Sequence, residues 1–454
     1  MNTVTAVGTS KEVRTTATGL APEPTVGPAS DPTVRPVAEP ATANGSGPSG
    51  RVLIIVQNLP VPFDRRVWLE CQSLKTAGFD VAVVCPKGPG DPSHAVLDGV
   101  ELYKYRPYAP GGSKGAFILE YLYSFMATLW LALKAARRGR FVAVQSCNPP
   151  DIFWPIGMLF RLVHKASFVF DHHDLCPELY RSRFPSGPRA VEWALRLLER
   201  CTTRCADHVI ATNGSYRALV VDRDRIDPER VTVVRTGPDP DRLRRQAPEP
   251  CLRRGRPHLV AYLGVMGPQD GVDLVLKVAD VVVHHLGRDD ISFTLIGSGD
   301  SFDELVTLRD DLGLDDVVHF TGRVPDTELA AILSTAEIGI SPDPKNPLND
   351  LSTMNKTMEY MAFGLPVVAF DLRETRVSAG EAAAYATPND VEELARVLVD
   401  LIDDEPRRRW MGTLGRARVE DELAWTHQAP RYVAVYRQLA GSGSRHRVAA
   451  TAGG

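Results

Sequence analysis

"LSTMNKTMEYMAFGLPVVAFD", Leu351 to Asp371, begins with small polar residues, passes a lysine and a glutamate three positions apart, and ends in an apolar run. Ser352, Thr353 and Asn355 suit the first turn of a helix that continues through "KTMEYMAFG" towards the strand "PVVAF". Residues three apart share one helix face, so Lys356 and Glu359 are expected to point at the same place, either a ligand or water. Free backbone N–H groups, the helix dipole and Lys356 together make a candidate diphosphate site. Glu359, one turn deeper, is placed to accept both hydroxyls of a ribose. The plainer alternative is an i,i+3 salt bridge on a solvated face.

This helix and strand close a longer series. Upstream lie "HLVAYLG", the helical stretch "GVDLVLKVADVVVHHLG", "ISFTLIG", "DSFDELVTLRDDLG", "VVHFTG", "PDTELAAILSTA" and "EIGISP". An earlier series runs from "RVLIIVQ" and the amphipathic "DRRVWLECQSLKTAG" through "FDVAVVCP", "FVAVQS", "SFVFDHH" and "DHVIATN" to "RVTVVRTG". Buried strands alternating with helices imply doubly wound parallel sheets. The fold class expected is therefore α/β, two Rossmann-like domains facing across a cleft, with ligands at the carboxyl ends of the strands. The boundaries read as a disordered extension over 1–50, a first domain over 51–237 and a linker over 238–256. A second domain over 257–424, a helix over 425–440 packing back on the first domain, and a disordered tail over 441–454 complete the chain.

A length of 454 residues with 44% hydrophobic content supports more than one core, and a net charge of -4 argues against a general nucleic-acid binder. The seven cysteines lack paired zinc-ligand spacings and read as reduced cytosolic thiols; Cys201 and Cys205 alone do not make a zinc site. The first fifty residues have no continuous apolar core of a signal peptide. "AFILEYLYSFMATLWLALKAARRGR", Ala116 to Arg140, nearly reaches spanning length, but Glu120 interrupts it. It reads either as an interfacial helix whose Arg137, Arg138 and Arg140 meet anionic headgroups, or as a core helix with a solvated basic end.

Gly297 and Gly299 form a G-x-G turn between the strand "FTLIG" and a helix, where a backbone without Cβ atoms approaches a nucleotide closely; an ordinary tight turn reads equally well. With these residues in place, the chain resembles the GT-B retaining glycosyltransferases that carry a Glu-x7-Glu motif. Glu359, Gly364, Pro366, Val367 and Val368 match the second half of that motif, and "RTGPD" at Arg235 to Asp239 resembles the family's interdomain link. "FDRRVWLECQSLKTAGFDVAVVCP" and "FDHHDLCPELY" are similar to its opening unit and His-Asp loop, so the likeness spans Arg51 to Leu439.

The resemblance implies that Glu359 binds the donor ribose, that Gly297, Gly299 and Arg323 lie by the nucleotide, and that His173 contacts the transferred sugar, with His172 as the adjacent competitor. It also implies an acceptor side formed by Arg65, Arg66 and Asp174. The chain departs from the pattern where Leu351 stands for the first glutamate and where Val265 and Asp270 stand for the basic residues that neutralise the diphosphate. "DPD" at Asp239 to Asp241 imitates a metal-binding Asp-x-Asp but reads as a turn, and no metal or other cofactor is expected. The expected function is retaining transfer from a nucleotide sugar to a glycan or lipid-linked acceptor for cell-surface polysaccharide or glycolipid. The expected place is cytoplasmic, at the inner membrane face, with no nucleic-acid partner. A non-catalytic nucleotide-sugar-binding scaffold and a nucleotide-sugar epimerase are the alternatives.

Overall fold

The structure, a computed structural model, describes residues 50–108, 114–239, 242 and 244–451; the N-terminal extension up to residue 49 and Pro240 and Asp241 of the "DPD" turn lie outside them. The first domain runs β1 (Arg51–Ile55), α1 (Arg65–Thr76), β2 (Asp80–Pro86), β3 (His94–Leu97), β4 (Val100–Tyr105), α2 (Lys114–Ala136) and β5 (Ala143–Cys147). It continues through α3 (Trp154–His164), β6 (Ser167–His172), α4 (Cys176–Arg183), α5 (Arg189–Cys205), β7 (His208–Ala211), α6 (Gly214–Asp224) and β8 (Val231–Val233). The strands form one sheet in the order β3-β4-β2-β1-β5-β6-β7-β8. β1 is buried from end to end because helices cover both faces of the sheet, which is why its sequence shows an apolar run and no alternation. One strand departs from the expected all-parallel sheet: β3 pairs antiparallel to β4. Asp98 and Gly99 both take positive φ, 47° and 74°, as a two-residue hairpin of the Asp-Gly kind requires.

The second domain runs β9 (His258–Leu263), α7 (Val272–Asp280), β10 (Ile291–Ile296), α8 (Phe302–Asp311), β11 (Val318–Gly322), α9 (Asp326–Thr335) and β12 (Ile338–Ser341). Then follow α10 (Asn355–Ala362), β13 (Val367–Phe370), α11 (Arg373–Ala379), β14 (Ala383–Ala386), α12 (Val391–Asp403), α13 (Glu405–Arg418) and α14 (Trp425–Thr451). Its sheet is wholly parallel in the order β11-β10-β9-β12-β13-β14. Strand order reverses beside β1 in one sheet and beside β9 in the other, so crevices open at the carboxyl ends of both.

α14 returns to the first domain. Trp425 Nε1 donates to Ser73 Oγ of α1 at 2.9 Å, and Tyr432, Val433, Val435 and Tyr436 join the core beneath β1 and β2. The helix α14 extends to Thr451, past residue 441 where the tail was expected to begin. The linker is also more ordered than its composition suggests. The Gln246 and Glu249 amides donate to Ser334 Oγ and Thr335 Oγ1, each at 2.8 Å, and a 3₁₀ turn spans Pro250–Arg253.

In α2, Leu131, Ala132 and Ala135 pack into the sheet while Ile118, Leu119, Leu122, Met126 and Trp130 stand in the open. Among the described residues no helix is long and apolar enough to cross a membrane. All seven cysteines are free.

Candidate active site

β6 delivers Asp171, His172 and His173 to the cleft, and the alternation of a strand sends consecutive side chains to opposite sides. His172 is fully buried, its Nε2 3.2 Å from Glu199, which also pairs with Arg223. His173 stands just past the strand, with 13% of its side chain exposed. Its Nε2 lies 2.5 Å from Asp171 Oδ2 and 3.0 Å from Arg66 Nε. The same Nε2 thus faces both a carboxylate oxygen and a guanidinium N–H, and its role as donor or acceptor follows the ring tautomer. Asn148 holds the following backbone, its Oδ1 accepting from the His173 and Asp174 amides at 2.6 and 3.1 Å.

Arg66, expected on the acceptor side, is 5% exposed and bonds inside the domain. It donates to Asp171 Oδ1 at 2.9 Å and to Val234 O and Thr236 Oγ1 at 3.0 Å, and lies 3.0 Å from Glu70. Burial pushes Asp171 up, but the Arg66 and His173 charges outweigh it and hold the carboxyl well below the usual range. Burial, reinforced by the Asp171 charge, drives Glu70 the other way, well above its ordinary value. Arg66 therefore faces two acids that their surroundings shift in opposite directions. Cys147, Asp171 and His173 are the one group among the described residues close enough together to hold a metal ion, and Arg66 already supplies a cation against two of the three. Asp174, the third acceptor-side candidate, is half-buried, and burial raises its carboxyl.

On the opposite wall, Gly297 and Gly299 allow a close approach of two loops. A Cβ on Gly297 would lie 1.8 Å from Gly264 O, and one on Gly299 2.5 Å from Met266 O. The loops after β9 and β10 thus meet backbone to backbone. Lys356 lies beneath them: its ammonium is 2.6 Å from Asp343 Oδ1 and 5.1 Å from the Tyr262 ring centroid, and its Cε would be 3.2 Å from a Cβ on Gly264. Burial alone would lower the Lys356 pKa, but Asp343 and Asp270 raise it, so the ammonium is retained. Asp270 is pushed up to about 6 by burial, which Lys356 only partly offsets.

The expected convergence of Lys356 and Glu359 on one point does not occur, nor do they pair with each other. Lys356 turns into its own domain, whereas Glu359 turns to the cleft, where Arg65 Nη1 approaches Oε1 at 3.4 Å. Arg65 also binds Asp326 at 3.0 Å. Burial raises the Glu359 carboxyl against the pull of Arg65. Arg323 stacks its guanidinium 5.2 Å from the centroid of Phe63, across the same cleft.

Two other candidates are engaged in docking the domains. Asn213, the N-cap of α6, donates through Nδ2 to Leu351 O at 2.9 Å and Thr353 Oγ1 at 3.1 Å, and Tyr216 OH lies 2.9 Å from Ser352 Oγ. Leu351, standing where the family pattern has a carboxylate, packs against the apolar cluster around Phe170 and Tyr216. Asn355 is exposed at the head of α10, whose first turn has no side-chain cap.

Residues 64–237 match the family described as glycosyl transferase 4-like domain, and residues 257–404 match glycosyl transferases group 1. The MMP alpha-(1->4)-mannosyltransferase of Mycolicibacterium hassiacum is 31% identical over 316 residues, covering 67% of this chain and 72% of that one. The chain belongs to the group 1, glycosyltransferase 4-like family. The fold of this glycosyltransferase is GT-B: sucrose-phosphate synthase from Thermosynechococcus elongatus superposes with a TM-score of 0.72 at 18% identity, over 87% of this chain and 100% of that one. Anabaena HepE in complex with UDP-glucose gives 0.64 at 15% identity, over 86% and 100%.

Sequence reading of the glycosyltransferase missed Asn213, Asp343, Glu374 and Arg183. Glu374 accepts from Ser215 Oγ at 2.6 Å and pairs with Arg235 at 3.3 Å, while Arg183 reaches Asp300 at 2.6 Å, so both fasten one domain to the other. Only Asn213 carried a local signal, an Asn-Gly pair ahead of an apolar helix in "ATNGSYRALV".

Proposed function

We propose that this glycosyltransferase moves a hexosyl group, with retention, from a nucleotide diphosphate sugar to a glycan or lipid-linked acceptor in cell-surface polysaccharide or glycolipid synthesis. The observation that carries this reading is the pair Arg65 and Arg66 at the head of α1: one contacts Glu359 from the second domain and the other contacts His173 from the first. A ribose-binding carboxylate and a histidine near the transferred sugar would thereby meet at one helix end. The complex of Anabaena HepE with UDP-glucose supports the donor class.

In this mechanism the open first turn of α10 stabilises the departing diphosphate, while Lys356 sets the positive charge beneath the adjoining loop. The acceptor hydroxyl attacks from the face the diphosphate leaves and passes its proton to the departing phosphate oxygen, and His173, held by Asp171, contacts the sugar as charge develops. No metal is needed for these steps.

A thermal-shift panel of UDP-, GDP-, dTDP- and ADP-sugars tests donor binding, since a ligand stabilises by mass action. One strong responder, with an α-linked product from an α-linked donor, is the expected result. His173→Ala should then lower kcat far more than donor affinity. Donor binding without turnover would favour the scaffold, and donor conversion without acceptor the epimerase.

The acceptor is lipid-linked in this reading, because the open apolar face of α2 ends in Arg137, Arg138 and Arg140, of which Arg138 also meets Glu101 at 3.4 Å. Flotation with anionic vesicles but not neutral ones, weakened by replacing the three arginines, is the outcome this requires; absence of binding to both indicates a soluble acceptor.

A further inference from the structure

Behind the cleft, at the far end of α10, lies an open groove of about 1240 Å³. Its walls are the linker, the end of α9 and the outer face of α13; its floor is the turn Phe363 to Pro366 that follows α10. Six arginines line it, Arg244, Arg245, Arg253, Arg408, Arg409 and Arg416, against three acids, Glu337, Glu405 and Glu420. Each acid is paired at 2.5 Å with one arginine, Arg253, Arg409 and Arg416 respectively. The lining residues thus hold three more arginines than acids; Arg244 has an interaction of its own and Arg408 donates to main-chain carbonyls. Arg245 is exposed and has no hydrogen-bond or ion-pair partner among the described residues.

The groove has a structural connection to the donor wall. Gly412 of α13 lies so close to the turn that a Cβ there would be 2.1 Å from Gly364 O, and Arg245 Nη1 would be 3.7 Å from a Cβ on Gly364. Arg416 donates to Ala362 O, the last residue of α10. The same helix carries Lys356 and Glu359 at its other turns. Arg408 likewise donates to the carbonyls that end α12, Leu401 O at 2.9 Å among them.

We propose that this groove is a second ligand site, one for a small molecule bearing more than one phosphate, and that its occupancy is transmitted to the donor wall through the C-terminal turn of α10. Guanidinium groups bind phosphate oxygens through paired, charge-assisted hydrogen bonds. The volume exceeds the about 300–1,000 Å³ of common small-molecule sites, which suits a ligand whose charges are spaced apart. Phosphates bridging Arg245 on the linker and Arg409 on α13 tie the interdomain connection to the second domain. Where they also draw on Arg416, the carbonyl at the end of α10 loses a donor.

The test uses inorganic tripolyphosphate as probe with the full chain. Titration calorimetry at physiological salt should show saturable binding, weakened at least tenfold in an Arg245→Ala/Arg409→Ala double variant whose melting temperature in the absence of probe is unchanged. Hydrogen exchange at the amides of residues 360–365 should change on binding in the wild type and not in the double variant. Because both substitutions lie outside the cleft, their response is independent of the donor reading. Absence of saturable binding, equal affinity in the two proteins, or exchange that does not respond in residues 360–365 would overturn the proposal.

Discussion

At the carboxyl edge of the first sheet, Arg66, Glu70, Asp171 and Gln145 are all buried, and they position His173 through charge. At the corresponding edge of the second sheet, loops close on one another through Gly264, Gly297 and Gly299, and the buried Lys356–Asp343 pair fills the space beneath. The difference lies in what holds each wall in place. The first wall is held by electrostatics that fail when one partner is removed, and the second by backbone shape that fails when an atom is added.

The largest expected effect breaks the first arrangement. Arg66→Ala strands the Asp171 carboxylate in the core, and loss of one partner from a buried pair costs about 3–5 kcal/mol, read as a lower urea midpoint. A cost below about 1 kcal/mol would mean that charge does not hold this wall.

Asp151, in the same domain, sharpens the contrast. It is buried, neither carboxylate oxygen has a well-formed hydrogen bond, and burial with the Glu199 charge pushes it up to about 7. An acid raised in the folded state stays protonated there while the unfolded chain ionises near pH 4. Stability therefore falls as pH rises from about 4 to about 7 and is lowest above that window. Asp151→Asn should gain about 4 kcal/mol at pH 8 relative to wild type and nothing at pH 4, by denaturation at both values. A gain of equal size at both would assign the effect to packing.

In the second domain the effects move from stability to binding. Glu359→Ala should keep the fold and weaken nucleotide-sugar binding by about 1.5–3 kcal/mol, the worth of hydrogen bonds to a charged acceptor, measured by calorimetry. Unchanged affinity would leave Glu359 as a partner of Arg65 only.

Gly297→Ala should cost about 1–3 kcal/mol, because the added Cβ collides with Gly264 O at a position whose φ is 137°. The loss of donor affinity should exceed that of Asp300→Ala, whose carboxylate meets Arg183 without shaping the loops. Equal losses would indicate that interdomain pairing, not backbone shape, sets this wall.

Much of the order of strands and helices was legible from residue to residue, because hydrophobic period and glycine placement are local properties of the chain; β3, β4 and the elements from α11 to α13 were not read. The parallel sheets follow from that order, and so does the placing of His173 just past a strand end and of Glu359 on the helix that precedes β13. The β3–β4 hairpin was legible in principle at Asp98 and Gly99, where two positive φ angles are needed. The role of each charged side chain was not legible, because it depends on partners far away in sequence. Arg66 meets Asp171 and Val234, Asn213 meets Leu351 and Thr353, and Lys356 meets Asp343 instead of the glutamate one turn along its own helix. Helical spacing determines which residues share a face. Which charge lies buried opposite that face, and which docks on the neighbouring domain, was decided only when the two sheets came together, because burial makes an unpaired charge so costly that the nearest tertiary partner outweighs the local one.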